Sequence, residues 1–427
     1  FSLDSVKALL QLLPLGSVDD AVCDLDRVAH TSIMAGGKPV PSPTCFAWAG
    51  SVPRVRVQLV DPAAYTPPYD HALAEALAAE GAVVELATAP FPYGDVPDPV
   101  GYTRVNRFYK GLPGRAGSPL LRAGRAIRHV PDMLAWRKSA ESFDIVHAQW
   151  LAVQGVDIKL LPAGQPLVMT AHDVLPREPR PGQVEAQAKL YSRADAVVVH
   201  TEHGKGRLIN EVGLPESKVE VIPHGPFTHI SEIEDPLPLP DELNGPGARG
   251  EKPVVLFFGL LRPYKGLDVL LDAWDGITDA ELWIVGRPRM DTERLRNHAA
   301  ELEGVKFLTR WVEEREIPAI FNAATLCVLP YREIDQSGVL ATALAFETPL
   351  VTSQAGGLSE AADRGAAISV PVGDVESLHD ALLMVIGDKE RQQRLSAAAH
   401  ELAHGDWSWQ GVARKHMALY ERLIDES

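Results

Sequence analysis

The sequence predicts an α/β protein made of two doubly wound parallel-sheet domains that follow each other along the chain. Short, β-branched apolar runs recur throughout, and helical or turn-rich segments separate them. A Pro-, Gly- and acid-rich stretch at residues 226–252 interrupts this alternation once, after which it resumes. Ligands of such sheets bind at the carboxyl ends of the strands, so the cleft between the two halves is the expected site.

The first half begins with the strand VRVQLV at residues 55–60. The loop DPAAYTPPYD, a helix HALAEALAAEG that stops at Gly81, and the strand AVVELAT follow, and together they form a βαβ unit. Four further strands are predicted: DIVHAQW (144–150), PLVMTAHD (166–173), ADAVVVHT (194–201) and VEVIPHG (219–225).

The second half repeats the pattern with six predicted strands: PVVLFFG (253–259), AELWIVG (280–286), VKFLT (305–309), TLCVLP (325–330), PLVTSQ (349–354) and AAISVP (366–371). We expect four segments: an N-terminal extension of unassigned role (1–52), a first domain (53–228), a linker (229–252) and a second domain (253–406).

Composition narrows the class of protein. The 427 residues carry a net charge of −16, which argues against general nucleic-acid binding, and a 46% hydrophobic content excludes wholesale disorder. The three cysteines lie far apart without a CxxC pair, so we expect no metal site. No apolar run of about 18 residues is present, so we expect a cytoplasmic protein without a transmembrane helix.

Three turns of the second half have the properties of phosphate-binding loops. The strand PVVLFFG ends at Gly259, and the loop after it presents Arg262 and Lys265 just before a helix. Two cations beside a helix N-terminus favour a phosphate, although solvated loop charges would give the same pattern. A polar turn at residues 335–338 likewise leads into an apolar helix, and a third turn, GGLSE, follows at 356–360. Glycines selected only for their φ angles are the alternative explanation.

The motifs GLLRPYKGLDVLLDAW, LWIVGRPR and AIFNAATLCVLPYREIDQSGVLATALAFETPLVTSQAGGLSE, in this order, resemble the retaining glycosyltransferases of family 4, which have the GT-B fold. The resemblance extends from about residue 55 to the end and includes TAHD, ADAVVVHTEHGK and VEVIPHG. The C-terminal WSWQGVARKHMALYERL resembles the family's last helix, which returns to the first domain, so residues 407–427 would complete that domain.

The resemblance implies transfer of a hexosyl group from a UDP- or GDP-linked sugar to an acceptor hydroxyl, with retention of configuration and without a metal or other cofactor. Arg262 and Lys265 would neutralise the diphosphate, and Gly259 would let it approach the chain. The remaining donor contacts implied are Gly286, Arg287, Trp311, Val312, Asp335, Gln336, Ser337, Gly338, Val339 and Thr342. Thr342 stands where the family commonly has a ribose-binding glutamate, and the earlier glutamate of that pair has no clean equivalent.

The resemblance also implies an acceptor side in the first half. His172, followed by Asp173, resembles the family's histidine near the acceptor cleft and would act with Arg262 and Lys265 in catalysis. From the residues alone, a core histidine at a strand end is the alternative. His147 and Gln149 lie at a neighbouring strand end, and the stiff loop after the first strand would add Tyr65 and Tyr69.

A basic segment lies in the same half. Residues 104–138 contain nine Lys and Arg residues and a single acid, in a chain that is acidic overall. Arg122, Arg125 and Arg128 recur every three residues beside apolar positions, which predicts an amphipathic helix. We expect contact with the inner, anionic membrane surface and a lipid-linked or polysaccharide acceptor, or else a solvated helix that pairs with acids elsewhere.

Two other classes of function stay open at this stage. A sugar phosphorylase or a nucleotide-sugar epimerase could use the same architecture. A nucleotide-binding scaffold that has lost catalysis is the other alternative, because the usual paired glutamates are missing. An oxidoreductase is disfavoured, since no GxGxxG follows a strand.

Overall fold

The computed structural model describes residues 54–91, 96–113, 118–176 and 179–427. The proposed N-terminal extension, Cys23, Cys45 and Arg115 of the basic segment lie outside the described residues. Two all-parallel sheets of seven and six strands, each flanked by helices, confirm the predicted fold class.

The sheet of the first domain has the strand order β3-β2-β1-β4-β5-β6-β7. Its strands are β1 (Arg56–Asp61), β2 (Val83–Thr88), β3 (Thr103–Asn106), β4 (Ile145–Ala148), β5 (Leu167–Thr170), β6 (Ala196–Val199) and β7 (Val219–Val221). Its helices are α1 (Pro67–Ala79), α2 (Pro119–Ala140), α3 (Gln154–Asp157), α4 (Gln183–Arg193) and α5 (Glu202–Asn210), and a short helix after β7, α6 (Thr228–Ser231), packs on the second domain.

The sheet of the second domain has the order β10-β9-β8-β11-β12-β13. Its strands are β8 (Val254–Phe258), β9 (Glu281–Val285), β10 (Val305–Leu308), β11 (Leu326–Leu329), β12 (Leu350–Ser353) and β13 (Ala367–Val370). The helices that follow are α7 (Leu267–Trp274), α8 (Glu293–Ala299), α9 (Ile317–Ala323), α10 (Gly338–Ala345), α11 (Ser359–Asp363), α12 (Val375–Ile386), α13 (Lys389–His404) and α14 (Trp409–Asp425).

The central strands are buried on both faces, which explains why their sequences are continuous apolar runs. The edge strand β3 is different, because its sequence TRVN is polar and half exposed. The sequence analysis included this segment in the basic stretch and did not predict a strand there. Its parallel pairing with β2, from Thr103 opposite Glu85 to Asn106 opposite Thr88, is not encoded by local hydrophobicity.

The Pro-rich stretch between the two sheets packs on the second domain. Phe227, Ile230 and Leu243 are all less than 9% exposed and belong to the second domain's core. The connection to the first domain is therefore short, and the remainder of this stretch is held against the second sheet.

The last helix returns to the first domain, as the resemblance implied. Val412 and Tyr420 of α14 pack in one core with Leu73 of α1. Trp409, at the start of α14, lies flat against the backbone at Gly225, where an added Cβ would stand 2.5 Å from the indole ring. The indole N–H of Trp409 donates to the carbonyl of Pro226 at 2.7 Å, which fixes the crossing point.

None of the helices in the described part of the chain is both long and apolar enough to span a bilayer.

Candidate active site

A cavity of about 1170 Å³ lies between the two domains. It is lined from the first domain by residues that follow β1, β4 and β5, and from the second by residues that follow β8, β9 and β11. All of these are carboxyl ends of parallel strands, so the two sheets present their ligand-binding edges to each other.

Lys265 and Arg262 lie where the cleft meets the end of β8. Lys265 ends a 3-10 turn, Pro263–Lys265, and is only 5% exposed. Its Nζ lies above Gly259, at 2.7 Å from where a Cβ would be, and 5.3 Å from the centre of the Tyr331 ring. The turn therefore holds a desolvated ammonium group against bare backbone, an arrangement suited to an anionic ligand.

Two glycines form the floor beneath this ammonium. Gly259 has φ +97° and Gly286 has φ +146°, both of which disfavour a side chain. A Cβ at Gly286 would lie 1.9 Å from the carbonyl oxygen of Gly259, so the ends of β8 and β9 approach too closely for any other residue. The predicted role of Gly259, to let a diphosphate approach the chain, stays a prediction, and the structure adds the close contact with Gly286.

The turn before α10 borders the same cavity. Ser337 caps the helix, since its hydroxyl accepts from the Leu340 N–H at 3.3 Å. Gln336 keeps a buried Oε1 without a hydrogen-bond partner among the described residues, and Thr342 donates its hydroxyl to the Gly338 carbonyl at 2.9 Å. Five residues of this segment line the cleft: Gln336, Ser337, Gly338, Val339 and Thr342.

Asp335, predicted with this donor-binding group, does not line the cleft. Its carboxylate faces the first domain, where it accepts from Arg207 and from the backbone of Val174. The spacing of the DQSG motif could not reveal this orientation, because adjacent turn residues can point in opposite directions.

The remaining residues predicted on the donor side also border the cavity. Gly286, Arg287, Trp311 and Val312 line the cleft beyond the lysine. Val312 is buried, whereas Trp311 is partly exposed. A flat, partly apolar surface of this kind can accommodate a nucleoside base.

On the acceptor side, His172 lies between aromatic rings. Its imidazole stacks on Trp150 with centroids 5.1 Å apart at 12°, and meets Tyr69 edge-on at 4.8 Å. Tyr65 stacks on the same Trp150 at 4.8 Å. All four residues, with Gln149 and Asp173, line the cleft. The sequence analysis missed Trp150, although it directly follows Gln149 at the same strand end.

A chain of hydrogen bonds sets the tautomer of His172. His200 Nδ1 lies 3.0 Å from the Ile222 carbonyl, which can only accept, so this nitrogen carries the proton. Burial lowers the pKa of His200 to about 4, so its Nε2 is a lone pair that accepts from His172 Nδ1 at 3.2 Å. Burial, with the neighbouring His200, also holds the pKa of His172 well below its usual range. The Nε2 of neutral His172 is therefore a hydrogen-bond acceptor.

The Nε2 of His172 lies 3.2 Å from the side-chain amide of Gln149. The amide must present its NH₂ group to this acceptor, which also gives a partner to the otherwise unpartnered Gln149 Nε2.

His147 was predicted to line the acceptor pocket, and the structure places it elsewhere. It is fully buried and does not line the cleft. Its Nδ1 lies 2.6 Å from the Tyr420 hydroxyl of α14, and its Nε2 lies 2.8 Å from the Thr170 hydroxyl. His147 and Gln149 are two residues apart, so alternation along a strand does not separate them. His147 lies within β4 and faces the returning helix, whereas Gln149 lies just beyond the end of the strand and lines the cleft.

The predicted basic helix is present as α2, although its arginines differ in their surroundings. Arg128 pairs with Asp132 at 2.9 Å, and Arg125 lies 5.3 Å from the centre of the Tyr109 ring. Arg122 is partly buried. Both arginines thus contact the first domain itself, and the acid that pairs with Arg128 lies in the same helix rather than elsewhere in the protein.

Residues 400–404, HELAH, have the HExxH spacing that is typical of metal sites, a feature that the expectation of no metal site did not take into account. His400 and His404 lie one turn apart on α13, and with Glu347 they form a group whose ligand atoms lie within 4.8 Å of one another. The group lies on the surface of the second domain, and none of the three residues lines the cleft.

Comparisons with known proteins agree with this geometry. The family model described as "Glycosyltransferase Family 4" matches residues 69–226, and the one described as "Glycosyl transferases group 1" matches residues 252–411. Each match covers one of the two domains. Among curated relatives, D-inositol 3-phosphate glycosyltransferase of Segniliparus rotundus is 27% identical over 312 residues, which cover 68% of this chain and 67% of the relative.

Solved structures share the architecture at lower identity. Sucrose-phosphate synthase from Thermosynechococcus elongatus superposes with a TM-score of 0.66 at 19% identity, covering 88% of this chain and 100% of the other. HepE from Anabaena in complex with UDP-glucose superposes with a TM-score of 0.61 at 18% identity, covering 86% and 100%. Both likenesses concern the fold.

Proposed function

We propose that this chain, whose two halves are glycosyltransferase domains on a GT-B fold, moves a sugar from a nucleotide-diphospho-sugar to an acceptor hydroxyl with retention of anomeric configuration. The observation that carries the proposal is the buried Lys265 ammonium, held above Gly259 and beside Arg262 at the carboxyl end of β8. The relatives' names and the UDP-glucose bound in a structural neighbour support a nucleotide-sugar donor.

In the proposed reaction, the bond between the anomeric carbon and the β-phosphate oxygen breaks as the acceptor oxygen bonds to the same carbon. Lys265 and Arg262 stabilise the negative charge that grows on the leaving diphosphate. A leaving-group oxygen takes the acceptor's proton, so attack occurs on the face that the diphosphate leaves and configuration is retained. No residue is assigned as a nucleophile, and no metal is assigned a step.

In the proposed reaction, His172 positions a substrate hydroxyl. Its Nε2 accepts one hydrogen bond, so a hydroxyl of the transferred sugar or of the acceptor would take the place of the Gln149 amide there. Trp150 and Tyr69 prevent the ring from rotating, and apolar rings of this kind also form good platforms for sugars.

A ligand screen followed by product analysis tests the proposal. We expect UDP or GDP, and the matching sugar nucleotide, to raise the melting temperature, because a ligand that binds only the folded state stabilises it by about 2.7 kcal/mol at 100 times its Kd. Incubation with acceptors should then release the nucleoside diphosphate and yield an α-linked product from an α-linked donor, measured by NMR.

Other outcomes of that screen would identify the rival functions. Binding without turnover would support the scaffold, and an isomerised donor would support the epimerase. A sugar 1-phosphate formed from a glycan and phosphate would support the phosphorylase. A product with the inverted linkage would contradict the proposed retention of configuration but not the proposed sugar transfer.

We further propose that α2 touches an anionic membrane surface and brings the cleft to a lipid-linked acceptor. Leu120, Ile127 and Leu134 are 62%, 65% and 50% exposed and recur every seven residues, so they form a stripe along one side of the helix. Arg137 and Lys138 are exposed at the C-terminal end of the same helix. Exposed apolar side chains with basic residues nearby suit insertion into an anionic interface.

Vesicle sedimentation tests this contact. We expect vesicles with anionic phosphatidylglycerol to retain the protein at low salt, and Ile127→Ser with Leu134→Ser to weaken retention by roughly tenfold or more, since each buried side chain contributes about 1.5–3 kcal/mol. Leu383→Ser is the matched control, because Leu383 is 45% exposed on the second domain. Equally poor retention by neutral and anionic vesicles would contradict the contact, as would an equal effect of Leu383→Ser.

A further inference from the structure

We propose that Asp335 is a positioning residue that clamps the two domains together and sets the donor turn relative to the acceptor loop. Its Oδ1 accepts from Arg207 Nη1 of α5 at 2.7 Å, and its Oδ2 accepts from the Val174 backbone N–H at 3.0 Å. The carboxylate is 8% exposed, so both partners act on a largely desolvated charge.

The clamp joins the two sides of the cleft through short chain segments. Asp335 directly precedes Gln336 and Ser337, which line the donor side. Val174 lies two residues after His172, which lines the acceptor side. One carboxylate therefore fixes the distance between the two groups of residues that would meet the donor and the acceptor.

The backbone around Asp335 is held by the first domain as well. The Thr201 hydroxyl donates to the Asp335 carbonyl at 3.2 Å and also accepts from the Gly204 N–H at 3.0 Å as the cap of α5. The Glu202 N–H, also in the first turn of α5, donates to Glu360 of the second domain at 2.7 Å. The N-terminus of α5 is thus bound at separate points to two loops of the second domain.

Two glycines allow this close docking. A Cβ at Gly357 would lie 2.3 Å from Thr201 Cγ2, so only glycine permits Thr201 to reach the Asp335 carbonyl. Gly356 has φ +51°, and a Cβ there would lie 1.6 Å from the Ile334 carbonyl oxygen. The GGLSE turn, interpreted from the sequence as a phosphate loop, is used here for contact between the domains.

Arg207 is prepared for this role within its own helix. Its Nε and Nη2 donate to the two carboxylate oxygens of Glu211 at 2.9 and 2.8 Å, one turn further along α5. The guanidinium therefore keeps its orientation when the domains separate, and closure adds only the bond to Asp335. A closed cleft with both loops in place is what transfer without loss to water requires.

The test uses Asp335→Asn, Arg207→Gln and the double variant, with Glu211→Gln as the matched control. Glu211→Gln removes the charge beside the same guanidinium but keeps an oxygen that can accept from Arg207 Nε, so the guanidinium stays oriented and the contact between the domains is retained. Hydrogen exchange of the peptide that contains Val174 reports the clamp without reference to activity. Steady-state kinetics of sugar transfer reports its consequence, and this second readout rests on the proposed function.

We expect Val174 to exchange roughly tenfold faster in both single variants, and kcat/KM to fall by a similar factor, as is typical of a coupled charge pair. The double variant should be no worse than either single variant, and Glu211→Gln should stay within about twofold of the native protein. Circular dichroism and melting temperature should show that each variant folds.

Unchanged exchange at Val174 in both single variants would overturn the clamp, and so would additive effects in the double variant. If the native protein itself transfers no sugar, the proposed function fails and the exchange data alone decide about the clamp. If it transfers sugar and the variants match it in both readouts, the clamp fails while the function stands.

Discussion

Replacing Lys265 by methionine is expected to lower kcat by about 100- to 1,000-fold, the usual effect of losing one preorganised group that stabilises developing charge. Lys265 Nζ is held above Gly259 by a turn that fixes its position before any ligand binds. Lys265 is only 5% exposed. Methionine removes the charge and keeps a side chain of similar length, so water cannot take the place of the ammonium group. Arg262→Ala should act in the same direction.

The same substitution should cost little stability. A buried cation contributes weakly to folding, and an apolar side chain of similar length often substitutes for it without loss. Lys306→Met is the matched control, since Lys306 is a largely buried lysine of the same domain, paired with Glu281 at 2.8 Å and outside the cleft lining. We expect Lys306→Met to lower the melting temperature and leave kcat unchanged.

The measurements are single-turnover sugar transfer, nucleoside diphosphate affinity by calorimetry, and thermal unfolding. If Lys265→Met and Arg262→Ala both retained native turnover, the assignment of the diphosphate to this corner would be wrong. If Lys265→Met lowered activity only in proportion to its loss of folded protein, the lysine would have a structural role instead.

The sequence predicted the cleft more completely than it predicted the contacts within it. Buried parallel strands can be identified from the local sequence, because burial on both faces requires continuous apolar runs. All twelve predicted strands are present in the structure. Loops that follow such strands must gather at one edge, which is why the loop of Gly259 and Lys265 could be expected at the cleft, whereas His172 was placed there by the family resemblance.

The orientation of the side chains at that edge cannot be predicted from the local sequence. Asp335 and Gln336 are neighbours in the chain, yet one faces the other domain and the other faces the cavity. His147 and His172 both end buried strands, yet only His172 reaches the cleft, because α14 covers the other from 273 residues away in the chain. Contacts of such long range depend on the docking of whole elements, which no local pattern encodes.

Gly286→Ala is expected to destabilise the second domain by about 3 kcal/mol or more, because both its conformation and its surroundings exclude a side chain. With φ +146°, the residue is strained for any L-amino acid, and its Cβ would lie 1.9 Å from the Gly259 carbonyl oxygen. Backbone on both sides of the contact belongs to paired strands, since Gly259 N donates to the Val285 carbonyl at 2.9 Å. The clash can be relieved only by separating the ends of β8 and β9.

Gly276→Ala separates the two causes of the expected destabilisation, which are backbone strain and the clash of the added Cβ. Gly276 also has a positive φ, +82°, but a Cβ there would meet nothing within 4 Å. Strain alone should then cost about 1–2 kcal/mol, and because Gly276 does not line the cleft, nucleotide affinity should be unchanged. In Gly286→Ala the separated strand ends carry Gly259 and the Lys265 turn with them, so affinity should fall even well below the melting temperature. Denaturant titration and calorimetry measure both effects, and equal destabilisation by the two substitutions would show that the contact between Gly259 and Gly286 is not needed to hold the cleft floor.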